Sequence, residues 1–243
     1  MQSALYVALS AQVALSNRLE TVSRNVANMN TAGYRADEIN FAEMVSKAGP
    51  DKVSFSSGGE NYISRQNGSL NKTDNPLDLA IEGEAWFAIR DANGGLSYTR
   101  DGRLHISDDG TLKTVTGQVV VGAGGQPIQL NPDGGTPLIT QNGDVIQGDE
   151  DIVGQIGLFL IPNDAKLTRK ENSAVVPDRA VIPVQVFDQH GIRQGYVEGA
   201  NINPVREMTK MIMISRAFES ATKMIDMGSE SQKTAIRELG KTS

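Results

Sequence analysis

The chain carries two histidines, His105 and His190, the side chain most often used in acid–base catalysis. His105 falls in a predicted strand and His190 in a predicted turn, Asp188-Gln189-His190-Gly191. A serine–histidine–aspartate triad needs three groups converging in space, and no nucleophile-elbow pattern accompanies either histidine. Both read as surface residues. Asp108 and Asp109 beside Gly110 hint at a calcium loop, but the EF-hand spacing and its closing glutamate are missing. Gly122-Ala123-Gly124-Gly125 follows a strand, as a phosphate loop does. It lacks the Gly-Lys-Ser/Thr ending and runs into Gln126-Pro127 rather than a helix. No pair of carboxylates is singled out for glycoside hydrolysis. With no cysteine, thiolate metal sites, disulfides and cysteine nucleophiles are excluded. The residues therefore predict no catalytic group, no metal, no cofactor and no small-molecule substrate.

The elements that would position any site are of two kinds. Leu5, Gln12, Leu19 and Val26 fall seven apart, with Ala8, Leu15, Val22 and Met29 three after each. Near the other end, Met211, Phe218, Ile225, Gln232 and Leu239 repeat at the same interval, with Ile214, Ala221, Gly228 and Ala235 three after. Such a repeat makes a narrow seam facing a partner helix. The first helix is expected from near Ser3 to near Met29, stopped by Asn28, Asn30, Thr31 and Gly33, the glycine in a left-handed cap. Pro204 suits the first turn of the second, with Asn203 as its cap. Packed antiparallel, the helices align Leu5 with Leu239, Gln12 with Gln232, Leu19 with Ile225 and Val26 with Phe218. The two glutamines then form a polar layer able to set the register.

Between the helices no helical period survives. Residues 34–73 read as an irregular connector, with one possible helical turn at Phe41, Met44 and Val45. From 74 to about 200 the period is two. Short strands are separated by Asn93-Gly94, Asp101-Gly102, Asp109-Gly110, Thr116-Gly117, Asp133-Gly134 and Asn142-Gly143, dipeptides suited to tight hairpins. Further strands are expected over Ile152 to Ile161 and Val181 to Phe187. The predicted class is α+β. An N-terminal helix (1–33) and a C-terminal helix (201–243) form an antiparallel coiled-coil stalk, with a central antiparallel β domain at 74–200, a sandwich or irregular barrel.

At 243 residues the chain has room for one or two cores. Its formal charge of −6 argues against nucleic acid or anionic lipid as partner. No apolar run is long enough for a membrane span. No Lys or Arg precedes Arg18, so export would use a route without a cleaved signal peptide. Asn25 sits inside the first helix, where asparagine is a poor former. On sequence physics, Asn25, Asn28 and Asn30 read as helix-ending residues. The other reading is that their amides hold the backbone of the following segment or of a neighbouring subunit.

Three stretches carry a resemblance. Leu19 to Arg35, with Asn25, Asn28, Asn30, Thr31 and Gly33, resembles the N-terminal signature of bacterial flagellar rod and hook proteins. Asn75 to Phe87, with Pro76, Asp78 and Gly83, followed by Tyr98 to Gly102 with Asp101, is similar to their central signature. Gly195 to Met208, with Asn201, Asn203 and Pro204, is similar to their C-terminal one. Arg24 departs from the pattern, standing where that family has a second asparagine. The length and short middle domain are most similar to the proximal rod type of the basal body. The distal rod type is the alternative within the family.

The resemblance implies a structural subunit, not an enzyme. Its partners are other copies of itself, other rod proteins and the flagellar type III export apparatus. Its place is the periplasmic rod, a hollow shaft whose inner tube the termini form. On that reading Leu5, Gln12, Leu15, Leu19, Val22, Val26, Met211, Phe218, Ile225, Gln232 and Leu239 are the assembly seam. A secreted β-domain binding module or a cell-wall hydrolase are the rivals from other classes. The first needs an aromatic-lined groove, and aromatics make up only 5% of residues. The second needs converging carboxylates.

Overall fold

A computed structural model of the chain describes residues 2–40, 43–46, 53–56, 60–148, 151–171 and 173–240. The class is α+β, with a helix near each end and short antiparallel strands between. The chain divides into two compact units.

The first unit holds helix α1 (Gln2–Ala27), strands β1 (Asp37–Asn40), β2 (Glu43–Ser46) and β3 (Val53–Ser56), most of β4 (Glu60–Ile63), and helix α2 (Pro204–Gly240). Strand β1 pairs with β4, and β2 with β3, Glu43 opposite Ser56. The expected start of α2 is met: Asn203 Oδ1 accepts the Arg206 N–H at 3.1 Å, a side-chain cap before Pro204. Along the helices, Val22 and Ile214 are buried, and Leu15, Leu19, Val26, Met211, Phe218 and Ile225 half-buried. The side chains of Leu5, Gln232 and Leu239 lie outside the described residues.

The alignment of the helices differs from expectation. Gln12 Nε2 donates to Thr222 Oγ1 at 3.2 Å, and Asn25 Nδ2 to Glu207 Oε2 at 3.5 Å. These bonds run the helices antiparallel, but Gln12 meets Thr222 instead of Gln232, ten residues or about 15 Å away along the axis. The physical reason is periodicity. A slide of nearly three turns presents the same face again, so the apolar repeat alone does not select a register.

A second correction concerns residues 34–73. They carry strands where an irregular connector was expected, and Met44 and Val45 lie in β2, not in a helical turn. Phe41 lies outside the described residues, as do 47–52 and 57–59. These strands are only four residues long; β1, β2 and β4 show no clean alternation, and that of β3, Val53-Ser54-Phe55-Ser56, lasts just two periods.

The second unit comprises Asn28–Ala36 and Ile63–Ile202. Its strands are β5 (Leu70–Lys72), β6 (Leu79–Glu82), β7 (Trp86–Arg90), β8 (Leu96–Thr99), β9 (Leu104–Ile106), β10 (Leu112–Thr114), β11 (Val119–Val120), β12 (Leu138–Ile139), β13 (Asp144–Gln147), β14 (Asp151–Gln155), β15 (Leu158–Leu160), β16 (Leu167–Arg169), β17 (Val175–Pro177), β18 (Ile182–Pro183), β19 (Gly191–Gln194) and β20 (Tyr196–Glu198). The largest sheet runs β16-β17-β8-β7-β11-β10-β9, with β15 beside β7 and β18 beside β15. Strand β7 shows why it lies at the centre. Phe87 and Ile89 point into one apolar cluster with Leu79, Leu112 and Leu158, while Trp86 and Ala88 point into a second with Tyr98 and Val175. Both faces are covered, so all four side chains are buried.

The expected hairpin glycines adopt positive φ at Gly94, Gly110, Gly117 and Gly143. Asp101-Gly102 is different, because β8 and β9 do not pair with each other. Gly102 serves close approach instead: a Cβ there would lie 1.8 Å from the Leu79 carbonyl oxygen. The strand expected over 152–161 is interrupted at Ile156-Gly157, and within 181–187 only Ile182–Pro183 pairs.

Candidate functional site

The second unit is where most of the predicted motif residues meet. The segment 28–36 enters it from the end of α1. Thr31 closes a turn, its N–H on the Asn28 carbonyl at 3.0 Å and its hydroxyl on Asn28 Oδ1 at 3.3 Å. Gly33 follows with φ of 65°, the left-handed conformation expected of it. A Cβ at Gly33 would lie 2.2 Å from the Asp101 backbone nitrogen, so the segment lies directly on the Asp101 backbone. Tyr34 and Arg35 are buried behind it.

At the centre is one carboxylate, Glu198 on β20, which is 1% exposed. Its Oε1 takes Arg35 Nη2 at 2.8 Å and the Gly68 N–H at 2.7 Å; its Oε2 takes Arg100 Nε at 2.6 Å. Its backbone carbonyl accepts the Gly33 N–H at 2.8 Å. Arg100 spends its remaining nitrogens on carbonyls at Ile81, Gly83 and Ala85, tying Glu198 to the central motif. Asn201 completes the join. Its Oδ1 accepts the Ala36 N–H at 2.7 Å and its Nδ2 donates to the Gln66 carbonyl at 2.9 Å, while its own N–H reaches Tyr34 O.

The electrostatics are uneven. Two buried guanidiniums face one buried carboxylate. Burial pulls the Arg35 guanidinium down to about 10; Glu198 opposes that shift and Arg100 reinforces it. Burial also lowers Arg100, again against Glu198. Arg35 Nη2 bonds Asn67 Oδ1 as well, but its Nε and Nη1 are buried without a hydrogen-bond partner among the described residues. The Arg35 guanidinium lies 5.7 Å from the centre of the Trp86 ring, and that of Arg169 lies 4.3 Å from Tyr34. Arg169 Nη2 also donates to the Arg35 carbonyl at 2.6 Å.

The other predicted residues do separate work. Asn75 Oδ1 accepts the Leu77 N–H at 3.2 Å, a turn of the kind asparagine makes. The Pro76 carbonyl accepts from Gln194, and that of Asp78 from Gly195 N–H. Asp101 folds onto Arg103, taking its Nε at 2.9 Å and Nη2 at 2.7 Å. In the first unit, Asn25 exchanges a matched pair of bonds with the backbone of Asp37, donating to its carbonyl and accepting its N–H, both at 2.9 Å. Asn25 thus holds the following segment, which corrects the reading of it as a mere helix stop. Arg24, the departure from the family pattern, reaches Asp37 Oδ2 at 3.4 Å. Asn30 is exposed. His105 is exposed on β9 opposite Lys113, and His190 Nδ1 accepts the Glu84 N–H at 3.3 Å. Arg35, Arg100 and Glu198 stood inside the quoted motifs but carried no assigned role, because no local spacing links residues so far apart in sequence.

The arrangement is a joint, one in which N-terminal, central and C-terminal motifs lock together. Comparison with known proteins matches three segments that overlap these motifs. The family described as "Flagella basal body rod protein" matches residues 5–35, "Flagellar hook protein FlgE/F/G D1 domain" matches 80–147, and "Flagellar basal body rod FlgEFG protein C-terminal" matches 193–238. The chain is 46% identical to the flagellar basal-body rod protein FlgF of Mesorhizobium japonicum, over 100% of both chains. The chain belongs to the flagellar basal-body rod proteins, FlgF type. It is 41% identical to the FlgF of Rhizobium meliloti over 99% of each chain. Identity to the rod protein FlgG of Bacillus subtilis is 28%, over 95% of this chain and 96% of that one. Each of the three family matches places residues on the joint: Arg35 from the first, Arg100 from the second and Glu198 from the third. Among the described residues no helix is long and apolar enough to cross a membrane.

Proposed function

We propose that this chain is a structural subunit of the bacterial flagellar rod, in its proximal part, polymerising with itself and other rod proteins into a hollow shaft that transmits torque and surrounds the export channel. The observation that carries the reading is end-to-end identity with FlgF rod proteins, with all three rod-family segments present in order. The exposed apolar side chains of the helices support it. Leu9 and Val13 on α1, and Val205, Ile212, Met213, Met224 and Met227 on α2, would be covered by neighbouring subunits. Subunits that stack through surfaces not complementary to themselves extend into filaments. In this reading the helices pair as a coiled coil in the rod wall. The subunit reaches the periplasm through the flagellar type III apparatus.

A deletion strain tests it. Its basal bodies should stop short of the distal rod, and the wild-type gene should restore them. Complete flagella in the deletion strain would overturn the proposal.

A further inference from the structure

The segment 28–36 is held in the second unit in an unusual way. Neither apolar cluster of that unit contains any of its residues. Tyr34, Arg35 and Ala32 are buried, but outside those two clusters. What holds the segment is polar: Gly33 N–H on the Glu198 carbonyl, Arg35 on Glu198 and Asn67, Ala36 N–H on Asn201, and Arg169 on the Arg35 carbonyl. Hydrogen bonds of this kind contribute little net free energy individually, because water makes the same bonds to the released chain. Two buried nitrogens of Arg35 have no acceptor among the described residues, which further weakens the closed state. The single strong restraint is the carboxylate of Glu198, which faces both buried guanidiniums at once.

We propose that residues 28–36 are a strap, closed by the charge of Glu198 and able to open while residues 63–202 stay folded. The strap leaves the rest of its unit in sequence at both ends, at Ala27 and at Asp37, so its opening does not require the sheet to come apart. This places the strap at the low-stability end of the molecule, where local opening precedes global unfolding. The inference rests on the packing of one subunit and stands whether or not the rod assignment does.

The full-length chain offers two direct readouts. Trp86 is the sole tryptophan and lies against Arg35, so its fluorescence reports strap docking. The Arg35–Ala36 bond is a trypsin site whose Arg35 side chain is buried when the strap is closed. Glu198→Gln keeps the shape and removes the charge, leaving two buried cations unopposed. It should speed cleavage at Arg35–Ala36 by at least about tenfold and change Trp86 emission. Gly33→Ala is an independent steric wedge, since its Cβ would collide with the Asp101 backbone. It should open the same bond with every charge intact. In both variants a 63–202 fragment should persist and keep its β-type circular dichroism. If residues 63–202 are digested as fast as the strap in both variants, the strap is part of the core and the proposal fails. If Gly33→Ala opens the strap and Glu198→Gln does not, or if Glu198→Gln unfolds residues 63–202, the charge is not the latch and the proposal is overturned.

Discussion

Gly33 is the position where one carbon atom matters most. Its φ of 65° costs an L-residue about 1–2 kcal/mol, and the collision with Asp101 adds to that. Gly33→Ala should therefore weaken the closed strap by more than about 2 kcal/mol, read as hydrogen exchange at residues 28–36 faster by roughly thirtyfold or more. Unchanged exchange there would show that the strap absorbs the extra carbon. Asp109 offers a test of a different kind. Its exposed carboxylate is held down to about 2, chiefly by the Ser107 hydroxyl and next by the Thr111 N–H. An acid lowered on folding stabilises the fold above its unfolded pKa, and that contribution fades as pH falls through the folded value. The turn at 107–111 should thus stay closed at mildly acidic pH and loosen only toward pH 2. A carboxyl-carbon NMR titration should place the Asp109 midpoint near 2, and Ser107→Ala should raise it. An ordinary carboxylate midpoint in the unaltered chain would refute the assignment.

Among the elements, the register of α1 against α2 is open to a clean measurement because the chain has no cysteine. Gln12→Cys with Thr222→Cys should form a disulfide readily in the monomer, while Gln12→Cys with Gln232→Cys should not. The reverse result would restore the glutamine layer. The case also shows what the sequence disclosed. Both helices were visible because their apolar stripes are long. Their register was not, because sliding by three turns leaves the stripe facing the partner. The hairpins at Gly94, Gly110, Gly117 and Gly143 were visible because only a few residue types tolerate positive φ. Strands β1 to β4 were not, being short and mixed in polarity. The cap at Asn203 could be read from its immediate neighbours, whereas the ion cluster could not. Arg35, Arg100 and Glu198 become partners only once the chain has folded, and a buried charge looks like a solvated one in a list of residues.

A rod subunit has to join others. Phe218→Asp or Leu19→Asp places an uncompensated charge on a half-buried seam. Each should abolish swimming and leave the protein out of purified basal bodies. Normal incorporation of either variant would show that the seam is not an assembly surface. His105→Ala and His190→Ala should swim as the parent does, since one is exposed and the other makes a single bond to a turn. Loss of motility in a histidine variant that still assembles would revive a catalytic reading.

The outward faces of α2 are rich in one particular atom. Met208, Met213, Met224 and Met227 are between 44% and 71% exposed, so their thioether sulfurs meet solvent in the lone chain. A peroxide delivers one oxygen to such a sulfur and leaves water, turning a pliable apolar side chain into a polar sulfoxide. Neighbours seated on α2 would shield the same atoms. A subunit waiting to be incorporated is then chemically perishable, and one already in place is not. Peroxide pulses followed by mass spectrometry should find these methionines oxidised in free chain and spared in assembled structures. Pre-oxidised chain should be excluded from growing ones until a sulfoxide reductase repairs it.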